Sequence, residues 1–266
     1  MASHLDKIVA HTREVVAARK ITADIAALER GARAHAPRGF ARLLKQCAAS
    51  GPAIIAELKK ASPSKGMIRE DLDVPELARQ LEAAGAAALS VLTEEKFFLG
   101  SLRNMERASS AVKIPCLRKD FMVDEFQMLE ARASGADAIL LIAASLTDRE
   151  LRLLRNAARA MELDILCEVH NREELERVLT LDCDAYGVNA RNLKTFDVSL
   201  DVSLELLAML PADAVRVAES GIHTAADLQK LRAAGYDAFL VGESLMRQAV
   251  PGDALRALLG SEPVRA

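Results

Sequence analysis

Charged and amide side chains with catalytic potential collect at the ends of apolar runs. AELKK carries Glu57 and Lys59, LRKDF carries Lys119, and CEVH carries Glu168. VNARN carries Asn189 and Arg191, AESGI carries Glu219 and Ser220, and VGES carries Gly242 and Glu243. Residues two apart, such as Glu57 with Lys59 and Asn189 with Arg191, point to one face of a strand. Ammonium and carboxylate groups on a shared face suit proton donation and abstraction. Lys59, Lys119 and Arg191 together suit an anionic substrate, and their mutual crowding is expected to depress a lysine pKa. Gly221 and Gly242 each precede a helix start, where backbone N–H groups can approach a phosphate closely. Ser62 of ASPSKG adds a hydroxyl donor to this phosphate seat. The Glu243 carboxylate would repel a phosphate, so its backbone N–H is assigned to the anion and its side chain is expected to turn outward. His170 and His223 read as ordinary loop residues. Arg118 and Asp120 flank Lys119 with opposite parity and are expected to form a supporting ion pair.

These groups need a scaffold that delivers them to one rim. Apolar strand-like runs lie at 53–58, 87–92, 114–118, 138–143, 164–169, 185–189, 215–218 and 238–242. Helix-like stretches separate them, at 76–84, 124–134, 147–161, 171–179 and 224–234. Start signals are Pro75 at the N1 position, Asp124 as an N-cap, Thr147 and Asn171 each with a Glu three residues on, and Thr224. AAGAAALSVL, ASGADAILLI and AAGYDAFLVG repeat one design: helix end, glycine, small connector, apolar strand. LTLDCDAYGVNA is a looser copy. Alternating strands and helices imply parallel pairing with right-handed crossovers. Eight such units favour closure, and 266 residues match one closed barrel of roughly 250. The fold class is therefore an α/β (β/α)₈ barrel, a TIM barrel, with an N-terminal helical extension over 1–50. The whole chain, 1–266, reads as one domain. In such barrels the active-site groups come from the C-terminal ends of the strands, where all the residues named above fall. The opposite strand ends look plain.

Composition limits the alternatives. Apolar residues make up 51% of the chain while aromatics make up only 3%, so the core must be built from Ala, Leu, Val and Ile. The net charge of −3 with mixed signs offers no nucleic-acid footprint. Cys47, Cys116, Cys167 and Cys183 lack disulfide or metal-ligand spacing. No secretory signal and no membrane span are read, so the chain is expected to be cytoplasmic.

The segments IIAELKKASPSKG, SVLTEEKFFLGS, LRKDFMVDEFQ, EVHNREEL, GVNARNLKTF, AESGI and VGESLM stand in one order along the chain. In that order the chain resembles the indole-3-glycerol-phosphate synthase family over nearly its whole length. Ala190 and Cys167 are small departures at positions that carry no proton. The resemblance implies a small-molecule sugar-phosphate substrate, 1-(2-carboxyphenylamino)-1-deoxyribulose 5-phosphate. Ring closure, decarboxylation and dehydration then give an indole in tryptophan biosynthesis. It implies no metal and no organic cofactor, and a monomer is expected. It makes Lys119 the general acid on the sugar carbonyl and Glu168 the general base. Lys59 holds the substrate carboxylate or serves as a second acid, and Glu57 orients Lys59. Asn189 and Arg191 grip carboxylate or hydroxyl groups, and Glu219 and Ser220 complete the wall. Ser62, Gly221, Gly242 and Glu243 hold phosphate. Phe97 and Phe98 either cover the arylamine ring or pack their loop on the barrel. SPSKGMIRED is a candidate lid. Two rival readings are another phosphosugar barrel enzyme, either an isomerase or a Schiff-base aldolase, and a non-catalytic barrel subunit.

Overall fold

The computed structural model describes residues 3–192 and 197–260. Among these, eight parallel strands close into a barrel: β1 Ala53–Leu58, β2 Ala88–Leu92, β3 Cys116–Lys119, β4 Ala138–Ile142, β5 Asp164–Val169, β6 Ala185–Asn189, β7 Val215–Glu219 and β8 Ala238–Val241. Each strand pairs with the next, and β1 closes on β8 through Ala53 opposite Ala238 and Ile55 opposite Leu240. Helices α1 His4–Thr22, α2 Ile25–Ala34 and α3 Phe40–Ala48 precede the barrel. The outer layer comprises α4 Val74–Ala83, α5 Leu102–Ala111, α6 Phe126–Ala133, α7 Asp148–Ala160, α8 Arg172–Val178, α9 Leu200–Leu207, α10 Ala225–Ala234, α11 Glu243–Met246 and α12 Pro251–Leu258. A short antiparallel hairpin, Ala61–Ser62 against Gly66–Met67, follows β1.

Two-residue alternation divides each strand. Ile54, Ala56 and Leu58 of β1 join the core under the helices, while Ala53 and Ile55 face the barrel interior. The interior is layered. Ala53, Ala88, Ala138, Ala185 and Ala238 form a small-residue floor. That floor leaves room for Phe40 and Leu44 of α3, both fully buried, which plug the barrel from below. Ile55, Leu117, Leu140, Leu166, Val217 and Leu240 form the next layer. Two residues further along the strands the layer becomes polar, with Glu57, Lys119, Glu168, Asn189 and Glu219.

The floor end is less plain than the sequence suggests. Asp137 Oδ2 accepts the Cys116 N–H at 2.7 Å, Asp184 Oδ2 accepts Ile165 N–H at 2.8 Å, and Asp237 Oδ2 accepts Arg216 N–H at 2.9 Å. The aspartate recurring just before a strand in the repeat thus accepts a backbone N–H at the start of the neighbouring strand, which would otherwise be left unpaired. Asp137 also takes Arg38 N and Nε at 2.7 and 2.9 Å and His35 Nε2 at 3.1 Å, so it fixes the α2–α3 connection to the barrel. Burial alone would raise the Asp137 pKa, but His35 and Arg38 bring it below its ordinary value.

Helix starts follow the expected side-chain caps at Thr147, Asn171 and Thr224. The start of α6 differs. It begins at Phe126, and Asp124 caps from one position earlier by accepting Phe126 N–H at 2.8 Å. Gln127 Oε1 accepts from Val123 N and Asp124 N, donors that Asp124 does not serve.

Candidate active site

At the C-terminal mouth of the barrel, Lys119 ends β3 with its Nζ 2.7 Å from Glu168 Oε2 and 2.7 Å from Glu219 Oε2. The three side chains come from β3, β5 and β7 and are nearly excluded from water, with side-chain exposures of 12%, 4% and 2%. Asn189 Nδ2 donates to Glu168 Oε1 at 3.2 Å. On β1 and its extension, Lys59 Nζ forms an ion pair with Glu57 Oε1. Ser62, Arg191, Ser220, Gly221, Gly242 and Glu243 line the same cavity. Every charged or amide residue given a catalytic or binding role from the sequence therefore borders one space, together with Phe98.

Phe97 does not border it. Its ring stacks edge-on against His11 of α1 with centroids 6.0 Å apart, and Lys96 Nζ lies 5.4 Å from its face. Of the two alternatives read from the sequence, these contacts are those of a loop residue packed on its surroundings, here the N-terminal extension. The loop is built on buried Glu94, whose carboxylate accepts N–H groups from Lys96, Phe97 and Phe98 at 3.1, 2.7 and 3.0 Å. Phe98 lies on the cavity side, its ring 6.1 Å from that of Phe121.

Two backbone features shape the phosphate-seat residues. Ser220 and Gly221 both have positive φ, 65° and 76°. At Gly221 a Cβ would press on Val198 and Leu200, so glycine is required there on two counts. Glu243 opens α11, and its Oε1 lies 3.1 Å from Arg247 Nε while Oε2 lies 3.9 Å from Arg191 Nη2. The carboxylate thus lies between Arg247, its i,i+4 partner, and Arg191 of the cavity. Gly187, inside β6, makes room for the buried Glu219 carboxylate, since a Cβ at that position would overlap Glu219 Oε1.

The charge arrangement overturns one expectation. The Lys119 pKa is raised, not depressed. Burial alone would lower it, and Glu168, Glu219 and Glu57 outweigh burial. Its immediate neighbours are carboxylates, while Lys59 is itself neutralised by Glu57. The two carboxylates on Lys119 are driven apart. Burial would raise Glu168, but Lys119 and His170 hold it well below the usual range. Glu219 is pushed up to about 7 by burial and by Glu168, against the pull of Lys119. Its Oε1 is buried without a hydrogen-bond partner. A raised carboxylate pKa contributes stability that is complete below the unfolded value and is lost as pH rises through the folded one. Glu219→Gln, always neutral, is therefore expected to gain stability relative to the parent as pH rises from 4.5 through about 7. Urea midpoints at both ends of that window measure the change, and parallel curves would contradict it.

Sequence reasoning missed several residues here. His170 is not a free loop residue: its side chain is 8% exposed and its Nε2 lies 3.2 Å from Glu168 Oε1. It stands two residues after Glu168, the same spacing that marked Lys59 and Arg191. His4, Leu5 and Ile8 of α1 also line the cavity, which no local signal in the extension disclosed. The expected Arg118–Asp120 pair is present at 2.9 Å, entirely buried. Among the described residues no group of three His, Cys, Asp or Glu side chains is arranged to hold a metal ion.

Residues 5–258 match the family model of indole-3-glycerol phosphate synthase. The chain belongs to the indole-3-glycerol phosphate synthase family. It is 56% identical to the indole-3-glycerol phosphate synthase of Koribacter versatilis over 98% of this chain and 100% of the relative. It is 49% identical to that of Burkholderia multivorans over 96% of this chain and 98% of the relative. Membership makes the chain a decarboxylating lyase of tryptophan biosynthesis. The barrel is also similar to KGPDC from Streptococcus mutans, with a TM-score of 0.60 at 15% identity, covering 79% of this chain and 96% of the other. It is similar to thiamine phosphate pyrophosphorylase from Pyrococcus furiosus, with a TM-score of 0.59 at 16% identity, over 78% and 93% of the two chains. At such identities the likeness speaks for the fold alone. Among the described residues no helix is long and apolar enough to cross a membrane.

Proposed function

We propose that this mouth converts 1-(2-carboxyphenylamino)-1-deoxyribulose 5-phosphate to indole-3-glycerol phosphate, with Lys119 as acid and Glu168 as base. The supporting observation is the placement of Lys119 Nζ 2.7 Å from both Glu168 and Glu219 in a chain of this family. A ketone is a weak electrophile until its oxygen is protonated, and a positioned acid contributes on the order of 10²–10⁴ in rate. Lys119 donates to the carbonyl oxygen as the ring carbon bearing the carboxylate attacks. Carbon dioxide then departs and leaves its bonding electrons to the ring. The new hydroxyl leaves as water with a proton from an ammonium group, and Glu168 removes the proton from the neighbouring carbon to complete the indole. A lysine of raised pKa enters each cycle protonated. Lys59, oriented by Glu57, and Arg191 attract the substrate carboxylate. Ser62, Gly221, Gly242 and the Glu243 backbone seat the phosphate at the opposite side, which folds the two reacting centres together. Phe98 flanks the aryl ring, and the loop around Ser62 closes over the bound substrate. Asn189 holds Glu168, and Ser220 walls the seat. No metal or organic cofactor enters these steps. Barrel and extension act as one unit in this reading, and the free cysteines accord with a cytoplasmic, reducing location.

Glu168→Gln keeps the side-chain shape and removes the base. Its kcat, followed by indole fluorescence, is expected to fall about 10²–10⁴-fold with substrate binding retained; a rate within a few-fold of the parent would remove Glu168 from the mechanism. Borohydride in the presence of substrate is expected to trap no adduct on Lys119 or Lys59, whereas a Schiff-base aldolase would be labelled.

A further inference from the structure

His170 lies between two carboxylates. Its Nδ1 is 3.0 Å from Glu174 Oε2, an oxygen that also accepts the His170 backbone N–H at 2.8 Å. Glu174 Oε1 accepts the Asn171 side-chain amide at 2.7 Å. Glu174 thus acts as an acceptor on every side, and Nδ1 must carry hydrogen to meet it. The other ring nitrogen, Nε2, is buried and makes no well-directed hydrogen bond. The polar atom facing it is Glu168 Oε1 at 3.2 Å. A bare lone pair there would confront a carboxylate oxygen away from water, which is costly. A proton on Nε2 removes the conflict and makes the ring a cation between two anions. Burial opposes that charge, but Glu168 and Glu174 prevail and lift the His170 pKa to about 9.

Lys119 is the other cation on Glu168, and it cannot be a constant one if it gives up its proton during the reaction. We propose that His170, braced by Glu174, is a positioning residue that supplies Glu168 with a permanent counter-charge and aim while Lys119 cycles. The inference rests on the reading of Glu168 as base. The groups facing this pair are Lys119 from β3, Asn189 from β6, Glu219 from β7, and Glu174 with the Asn171 cap at α8; Glu57 of β1, paired with Lys59, stands near Lys119. Among them His170 is the group placed to lose a proton near pH 9.

The test is the pH profile of kcat for the parent, His170→Gln, Glu174→Gln and Glu168→Gln. Glutamine at 170 puts a neutral amide donor near the place of Nε2. The parent rate is expected to fall as pH passes about 9, the pH at which His170 discharges. His170→Gln is expected to be slower near neutrality by on the order of tenfold, a part of the 10²–10⁴ that a positioned base supplies. It is also expected to be flat across the range where the parent declines. Glu174→Gln is expected to move the alkaline limb to lower pH, because one of the two carboxylates holding the ring charge is gone. If His170→Gln keeps the parent's alkaline limb, with or without a lower plateau, the residue is merely structural and the proposal falls. Should that variant fold poorly, Glu174→Gln decides alone, and an unmoved limb overturns the proposal. Near-parental kcat in Glu168→Gln would instead overturn the base assignment itself.

Discussion

Replacing Lys119 with alanine is expected to lower kcat about 10²–10⁴-fold, the range that a positioned general acid contributes. KM is expected to change far less, because Lys59, Arg191 and the phosphate-seat residues remain. The size of the loss follows from the setting. Lys119 stands on a rigid strand, is held at 2.7 Å by two carboxylates, and has its charge favoured by both and by Glu57. Water cannot take its place as acid with the same position. Removing the lysine also leaves Glu168 and Glu219 buried against each other, so Lys119→Met and Lys119→Ala should both protonate that pair more readily. Single-turnover measurements with product fluorescence separate chemistry from release, and a kcat within a few-fold of the parent would reject Lys119 as the acid.

The largest loss of stability is expected at Arg118, one residue earlier. Its side chain is fully buried behind β3, 2.9 Å from Asp120 Oδ2, 3.3 Å from Glu130 Oε2, 3.2 Å from Thr93 Oγ1 and 2.9 Å from the Gln127 carbonyl. Arg118→Ala takes the shared guanidinium from two buried carboxylates and leaves a void. Breaking a buried pair by removing one partner costs about 3–5 kcal/mol. Arg19 of α1 also reaches Glu130, at 3.0 Å, so the variant is expected to loosen the extension where it crosses toward the mouth. Arg13→Ala provides the contrast. Its pair with Glu150 is 44% and 29% exposed, and exposed pairs contribute about 0–1 kcal/mol. Urea denaturation of both variants checks the ranking; equal midpoints would show that Arg118 is dispensable.

The sequence by itself determined the alternation of strand and helix and the parity within each strand. The rim carrying the chemistry followed from those. Glu57 with Lys59 and Asn189 with Arg191 were legible because a strand repeats every two residues, and one slip would turn both members of a pair away. The repeated Gly and Asp before several strands were visible as a pattern, but their use was not. Only closure of the barrel brings Asp137, Asp184 and Asp237 to the backbone of the neighbouring strand. Tertiary structure alone decided who surrounds Lys119. Glu168 and Glu219 lie 49 and 100 residues away in the chain, and periodicity gives the face a side chain takes but not its partner across the barrel. For that reason the local crowding of cations suggested a depressed lysine, while the folded carboxylates raise it. The same limit hid the division of the extension, with α1 at the mouth through Ile8 and α3 plugging the floor through Phe40 and Leu44. Both segments read as helical in sequence, but only the shape of the closed barrel says which opening each one meets.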